Sequence, residues 1–392
     1  MKHLKHKKYI FPWRAGNQFR LLVDADVFFP AMLDVINQAS ISICFELYLI
    51  KSGKVASSFI TALVAAAVRG VTIKILLDDF GARGLASKDR IRLKHEKISV
   101  RYYNPVKWGY NPAKWTARTV WTDNMVRDHR KLLIVDDKTV FTGGVGLADE
   151  FTSTDVLRTG WRETMLEISG AVVADWQILF NHQWQHCGGN KKKLRRLLVK
   201  SEPEADLPGR VTISHGIVRQ ETKRALIQHI RKARHHIWIA TAYFVPSWRL
   251  RRVLRQAAHR QVDVRLLLPG AITDHPAVRY AGHRFYARLL RAGIRIFELQ
   301  DRMQHQKVAT CDQWVSIGSS NFDRWNLRWN MEANQEVYGE PLSSAVLAML
   351  RRDFENSLEI QYQQWRRRPW YQHWLEYWWG WISRLVSRIG NR

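Results

Sequence analysis

The sequence predicts an α/β protein of two pseudo-symmetric lobes, each a mixed, mainly parallel sheet flanked by helices, with an amphipathic helix at the C-terminus. Three observations carry this. Strand-like apolar runs alternate with helical patterns through the first half of the 392 residues. The same order returns in the second half. Both rounds close on the same polar pattern, His-x-Lys-x4-Asp. Alternation of this kind argues for parallel sheets covered by helices. An internal repeat of this size implies duplication, with a site at the pseudo-twofold interface.

In the first half an amphipathic helix is expected around Pro30 to Gln38, then a strand from Ile41 to Ile50. An Ala-rich helix follows from Val55 to Arg69, stopped by Gly70. Val71 to Leu77 reads as a buried strand. A basic helix near Lys88 to Glu96 leads to a strand at Ser99 to Tyr103. The second half repeats this plan: a strand at Ile237 to Val245, a helix at Ser247 to His259, a strand at Val262 to Leu268, a helix at Val278 to Ala292 and a strand at Ile294 to Phe297. The stretch from Gly188 to Leu207 is rich in Gly, charge and Pro, as linkers are. The expected division is an N-terminal lobe over 1–190, a linker over 191–212, a C-terminal lobe over 213–358 and a Trp/Arg-rich tail over 359–392.

Lys and Arg outnumber Asp and Glu by 62 to 35, a formal charge of +27. Such a balance fits a polyanionic partner, either nucleic acid or an anionic membrane face. Cys44, Cys187 and Cys311 are far apart and odd in number, and read as free thiols of a reducing compartment. His182 and His186 share a helix face but lack a convincing fourth ligand, and read as surface histidines rather than a metal site. No secretory signal is expected, and no apolar run reaches the roughly 20 residues of a membrane-spanning helix.

The first motif is His129, Lys131 and Asp136, followed by Gly143-Gly144-Val145-Gly146. The second is His305, Lys307 and Asp312, followed by Gly318-Ser319-Ser320-Asn321. In a strand, residues two apart face the same side, so each His and Lys project together. Small residues beyond the hairpin let backbone approach a ligand closely. One such pattern arises by chance about once in ten thousand positions; two at matching points of a repeat do not. The chemistry these residues suit is phosphodiester transfer. Neutral imidazole can attack phosphorus and later leave, while a protonated imidazole donates to the leaving oxygen. Lys131 and Lys307 place positive charge where the transition state concentrates negative charge. No acid cluster suited to Mg²⁺ or Ca²⁺ accompanies the histidines, so neither metal nor another cofactor is expected. Glu163 after the first motif and Glu332 after the second are candidate carboxylates for fixing the imidazole tautomers.

These residues resemble the phospholipase D superfamily, whose signature is a duplicated HxKxxxxD motif with a Gly/Ser-rich turn and Asn. More closely, the chain is similar to bacterial cardiolipin synthases of the short form lacking N-terminal transmembrane helices. The resemblance rests on Trp13 to Asn17, Glu46, Leu76 to Gly81, Tyr102 to Pro105, both motifs, Thr241 to Pro246 and Gly318 to Asn321. It implies transfer of a phosphatidyl group from one phosphatidylglycerol to another with release of glycerol, through a phosphohistidine. It further implies His129 as nucleophile and His305 as acid, with Ser319, Ser320 and Asn321 supporting the site. Asp136 and Asp312 are expected to brace the hairpins and the lobe interface rather than carry protons. Two departures stand out: Gly146 replaces the usual Asn, and the second motif has one residue fewer before Gly318. A hydrolytic phospholipase D and a nuclease share the motif and remain open.

From Trp365 onward, Trp370, Trp374, Trp378 and Trp381 share a helix face, with Arg384 among the flanking arginines. That is the composition of an interfacial helix. A basic, aromatic loop from Val106 to Trp115 is a second candidate. The expected partners are an anionic phospholipid substrate and the bacterial membrane surface, with no nucleic acid. The expected location is peripheral, on the cytoplasmic side of the inner membrane.

Overall fold

A computed structural model describes residues 10–105, 124–152, 160–188, 207–216, 219–322 and 330–369. The N-terminal lobe runs β1 (Asn17–Val23), α1 (Ala25–Gln38), β2 (Ser42–Leu47), α2 (Lys54–Val68), β3 (Thr72–Asp78), α3 (Ser87–Arg92), β4 (Ile98–Tyr103), β5 (Lys131–Val135), β6 (Thr139–Gly143), β7 (Thr164–Gly170) and α4 (Val173–Cys187). The C-terminal lobe runs β8 (Gly209–His215), β9 (Arg219–Gln220), α5 (Glu221–Lys232), β10 (His236–Thr241), α6 (Trp248–His259), β11 (Asp263–Pro269), α7 (Pro276–His283), α8 (Tyr286–Leu290), β12 (Arg295–Leu299), β13 (Lys307–Cys311), β14 (Trp314–Gly318), β15 (Met331–Tyr338), α9 (Glu340–Glu355), β16 (Ser357–Glu359) and α10 (Tyr362–Arg366).

Each lobe builds one sheet, with strand orders β1-β7-β6-β5-β2-β3-β4 and β16-β12-β11-β10-β13-β14-β15-β8-β9. The α/β class and the two-lobed repeat are as expected. The emphasis on parallel pairing is corrected. Only β2-β3-β4 and β10-β11-β12, the strands joined by helical crossovers, pair in parallel. Every other neighbour is antiparallel, because each motif opens a hairpin, β5-β6 or β13-β14, and the next strand returns beside it.

Side-chain alternation sets the layering. Ile43, Phe45, Leu133 and Val135 face α1 and α2, while Cys44, Leu132 and Ile134 face the other way. Those inner residues share a core with Trp238, Val308 and Val315 of the second sheet, and with Trp176 on α4 and Phe354 on α9. The two sheets therefore pack inner face to inner face around one middle core, with an outer core behind each. Polar ties cross the same boundary: Trp176 Nε1 donates to Gln335 Oε1 at 2.9 Å.

Several boundaries move. α1 starts at Ala25 and contains Pro30. The helix expected over 278–292 breaks in two around Arg284 and Phe285. β8 begins inside the expected linker and pairs with β15. The C-terminal lobe extends past 358: Glu359 pairs with Phe297, and Trp365 is buried against Tyr286 and His283. Among the described residues no helix is long and apolar enough to cross a membrane. Cys44, Cys187 and Cys311 are free thiols.

Candidate active site

Both motif histidines sit immediately before a strand, His129 ahead of β5 and His305 ahead of β13. Each is pinned by the opposite lobe. His129 N–H donates to Met331 O and His305 N–H donates to Arg162 O, both at 2.9 Å. The side chains cross over as well. His129 Nδ1 lies 3.0 Å from Glu332 Oε1, without the alignment of a hydrogen bond. His305 Nδ1 lies 2.6 Å from Glu163 Oε2. Each lobe thus supplies the carboxylate behind the other lobe's imidazole. Sequence order places each Glu after its own motif; the swap follows from sheets that face each other about a pseudo-twofold axis.

The lysines complete the cluster. Lys131 Nζ donates to His129 O, and Lys307 Nζ donates to His305 O. Lys307 Nζ also lies 3.2 Å from Glu163 Oε2. Three aromatic rings that sequence reasoning missed, all from the N-terminal lobe, flank the imidazoles. Tyr48 lies 4.5 Å from His129, and Trp161 and Phe151 lie 5.0 and 5.5 Å from His305. Their pattern is that of ordinary core residues, so only the fold reveals them.

Burial and like charge govern the protonation states. Burial, then Lys131 and Lys307, hold His129 well below the ordinary imidazole range. Burial and Lys307 lower His305 to about 4, against the pull of Glu163. Burial lowers Lys131 to about 7, with Glu332 opposing. Burial likewise lowers Lys307, opposed by Glu163. The carboxylates diverge. Burial raises Glu332 to about 8 despite Lys131. Burial also works against ionised Glu163, but Lys307, His305 and the Thr164 N–H outweigh it and hold that carboxyl below its usual range. At neutral pH the cluster holds a carboxylate behind His305 and a carboxylic acid behind His129.

The turns after the hairpins make room for this. A Cβ on Gly144 would collide with the Glu163 carboxylate. In the twin turn the Ala333 N–H donates to Ser319 Oγ at 3.1 Å, the Ser320 N–H donates to Asn334 Oδ1 at 3.1 Å, and Asn321 Oδ1 accepts from Thr241 Oγ1 at 3.4 Å. Gly146 occupies the place of Asn321, and a side chain there would strike Leu49. The missing residue of the second motif is absorbed by the distal turn. Cys311 pairs with Trp314 across two residues, where Val135 pairs with Thr139 across three. Gly318 and Gly143 keep the same register toward the lysines.

Asp136 and Asp312 are not in the cluster. They follow the far ends of β5 and β13, roughly 16 Å away at about 3.3 Å per residue. Asp136 accepts from the backbone N–H groups of Ser40, Ile41 and Ser42, and Asp312 from those of Arg234, His235 and His236. They brace the hairpins, as expected. Their partners lie within their own lobes, so bracing of the lobe interface is corrected. The ties at the interface are ion networks instead. Arg162 bridges Asp24 of its own lobe at 2.6 Å and Asp353 of the other at 2.7 Å, and Arg302 of the second lobe reaches Asp24 at 3.1 Å, whereas Arg130 bridges Glu46 at 2.7 Å and Asp128 at 2.9 Å within the first lobe. Trp370, Trp374, Trp378, Trp381 and Arg384 lie outside the described residues, as does 106–115.

Comparison with known proteins agrees with this arrangement. Residues 32–184 and 226–357 match the family described as cardiolipin synthase, PLD-like domain. Cardiolipin synthase B of Salmonella typhimurium is 30% identical over 85% of this chain and 79% of its own length. Cardiolipin synthase A of Pseudomonas fluorescens is 30% identical over 96% of this chain and 76% of its own. Among solved structures, phosphatidylserine synthase of Haemophilus influenzae superposes with a TM-score of 0.74 over 96% of both chains at 13% identity. The duplicated fold, the paired histidines at its axis and these matches place the chain in the cardiolipin synthase family of phospholipase D-like phosphatidyltransferases.

Proposed function

We propose that this protein transfers a phosphatidyl group from one phosphatidylglycerol to a second, releasing glycerol and forming cardiolipin. The observation that carries this is the meeting of two His–Lys pairs across the lobe interface, each backed by the opposite lobe's glutamate. His129, held neutral by burial and the two lysines, is the nucleophile: its nitrogen forms a bond to phosphorus as the bond to the glycerol oxygen breaks. His305, with a carboxylate at Nδ1, is the better seat for a proton and donates it to that oxygen. Burial, then Lys307, keeps His305 neutral in the free protein, and a bound phosphodiester brings negative charge beside both lysines that favours its protonated form. In the second half, His305 takes the proton of the acceptor hydroxyl. That oxygen attacks phosphorus and the bond to His129 breaks, so the protonation states are restored. Lys131 and Lys307 hold the phosphoryl oxygens. Asp136 and Asp312 act as hairpin braces.

The substrate is an anionic phospholipid, and the protein works peripherally at the cytoplasmic face of the bacterial inner membrane. The high positive charge and the tryptophan-rich sequence beyond residue 369 support this. The test is incubation of labelled phosphatidylglycerol in excess EDTA with product separation. Cardiolipin and glycerol are expected. Phosphatidic acid as the sole product would make the enzyme a hydrolase, and a need for one divalent metal would sink the metal-free route. A phosphohistidine trapped at His305 alone would reverse the two roles.

A further inference from the structure

The pseudo-twofold axis pairs a filled region with an open one. On the filled side Arg162 precedes Glu163 and bonds Asp24 and, on α9, Asp353. Gln306 reaches the same Asp353 at 3.3 Å. On the other side Met331 precedes Glu332 in place of Arg162. Ser214, paired with Glu332, takes the place of Asp24. Neutral side chains stand where Arg162 and Asp24 do, and a cavity of about 320 Å³ opens between α4, β8, β9 and β15.

The lining sets polar and cationic groups among apolar ones, Ile10, Leu179, Ile213 and Met331. Gln183 and Ser214 are 5% and 1% exposed. Their Nε2 and Oγ atoms find no hydrogen-bond partner among the described residues. Buried polar atoms in native proteins are nearly always paired, so two orphans lining one cavity point to a ligand. Arg219, whose near partner is Glu221 at 3.2 Å, brings positive charge, Arg130 lies on the wall within its own network with Glu46 and Asp128, and His182, His186 and His215 add imidazoles. The volume is at the lower end for small-molecule pockets, suited to a headgroup rather than acyl chains.

We propose that this cavity is a second binding site, for a phosphate group, held by the Arg219 guanidinium, the Gln183 amide and the Ser214 hydroxyl. It needs no step of the transfer chemistry. It does abut Glu332, the group behind His129. Glu332 is already neutral, so negative charge there acts on the imidazole beyond it and favours protonated His129, which removes the nucleophile. Occupancy therefore slows turnover without occluding substrate.

The test is calorimetric titration of the full chain with inorganic phosphate, comparing wild type with Gln183→Leu and Arg219→Leu, which sit on different elements. Two phosphates are expected per wild-type chain, one at the histidine cluster and one here. Each variant should retain the first and bind the second about ten-fold more weakly or worse, as loss of a charge-assisted contact predicts. Turnover of short-chain phosphatidylglycerol without phosphate should be unchanged. Added phosphate should give mixed inhibition in wild type and purely competitive inhibition in the variants. If the natural occupant is a lipid headgroup, the variants also lose affinity for phosphatidylglycerol vesicles at fixed ionic strength; if it is free phosphate, vesicle binding is unaltered. A single wild-type phosphate fully displaced by short-chain substrate, or equal stoichiometry in both folded variants, overturns the proposal.

Discussion

Replacing Lys131 with Met should stabilise the protein while abolishing its activity. Lys131 is 3% exposed, and burial brings its amine down to about 7 even with Glu332 nearby. Against about 10.4 for a free lysine, this corresponds to on the order of 4 kcal/mol of destabilisation when both states carry the charge. Removal strands little negative charge in return, because Glu332 stays protonated up to about 8. A lysine whose folded pKa lies below its unfolded one opposes folding fully below about 7, and the penalty fades as pH rises toward about 10.4. Met matches the length of the aliphatic stem, so packing is kept. Urea unfolding of Lys131→Met should show a gain of roughly 2–4 kcal/mol at pH 6, shrinking steadily by pH 10. A variant less stable than wild type at pH 6, or a gain independent of pH, would refute the reasoning.

Three further outcomes follow from the same geometry. Glu163→Gln should cost kcat about 100-fold or more, since it removes the charge that steadies His305, while Glu332→Gln should cost about ten-fold or less, its carboxyl being neutral at pH 7; equal losses in steady-state kinetics would deny the asymmetry. The free-enzyme kcat/KM should fall as pH rises through about 7, where Lys131 gives up its proton, and a flat profile from pH 6 to 9 would count against a role for that charge. Truncation after Pro369 should leave the thermal unfolding curve intact and weaken binding to phosphatidylglycerol vesicles, whereas truncation after Gln364 should lower the melting temperature by removing buried Trp365.

The lobes, their repeat and the two His–Lys pairs were legible because each leaves a local trace. Apolar runs mark strands, Gly70 stops α2, and His and Lys two apart must share a strand face. Pairing direction was less legible. Parallel order was read from helical crossovers, and the antiparallel strands β1, β7, β8 and β15 carry mixed polar sequences with no clean alternation. The carboxylate swap had no trace at all, since it depends on which face of one sheet meets the other. Trp365 misled for a related reason. Its arginine-rich neighbourhood resembles the Trp/Arg-rich sequence beyond it, but Arg368 stacks on the ring while the ring fills a gap over Tyr286. Composition alone does not separate a tryptophan that faces lipid from one that closes a core.

A symmetric fold has here produced two imidazoles in unlike surroundings, and the cause can be traced to a few atoms. Glu163 receives the Thr164 N–H at 2.9 Å, His305 at 2.6 Å and the Lys307 amine at 3.2 Å, enough to keep it ionised in a buried place. Glu332 is equally buried but has no aligned donor from His129, so desolvation prevails and it holds a proton. Two equivalent histidines would compete for the same role. With one backed by charge and the other by a neutral acid, the roles proposed for them, attack and proton donation, differ before substrate arrives. Because each carboxylate comes from the opposite lobe, neither lobe can assemble even half of this site alone. The same swap ties catalysis to the interface: any shift between the sheets alters both His–Glu distances at once.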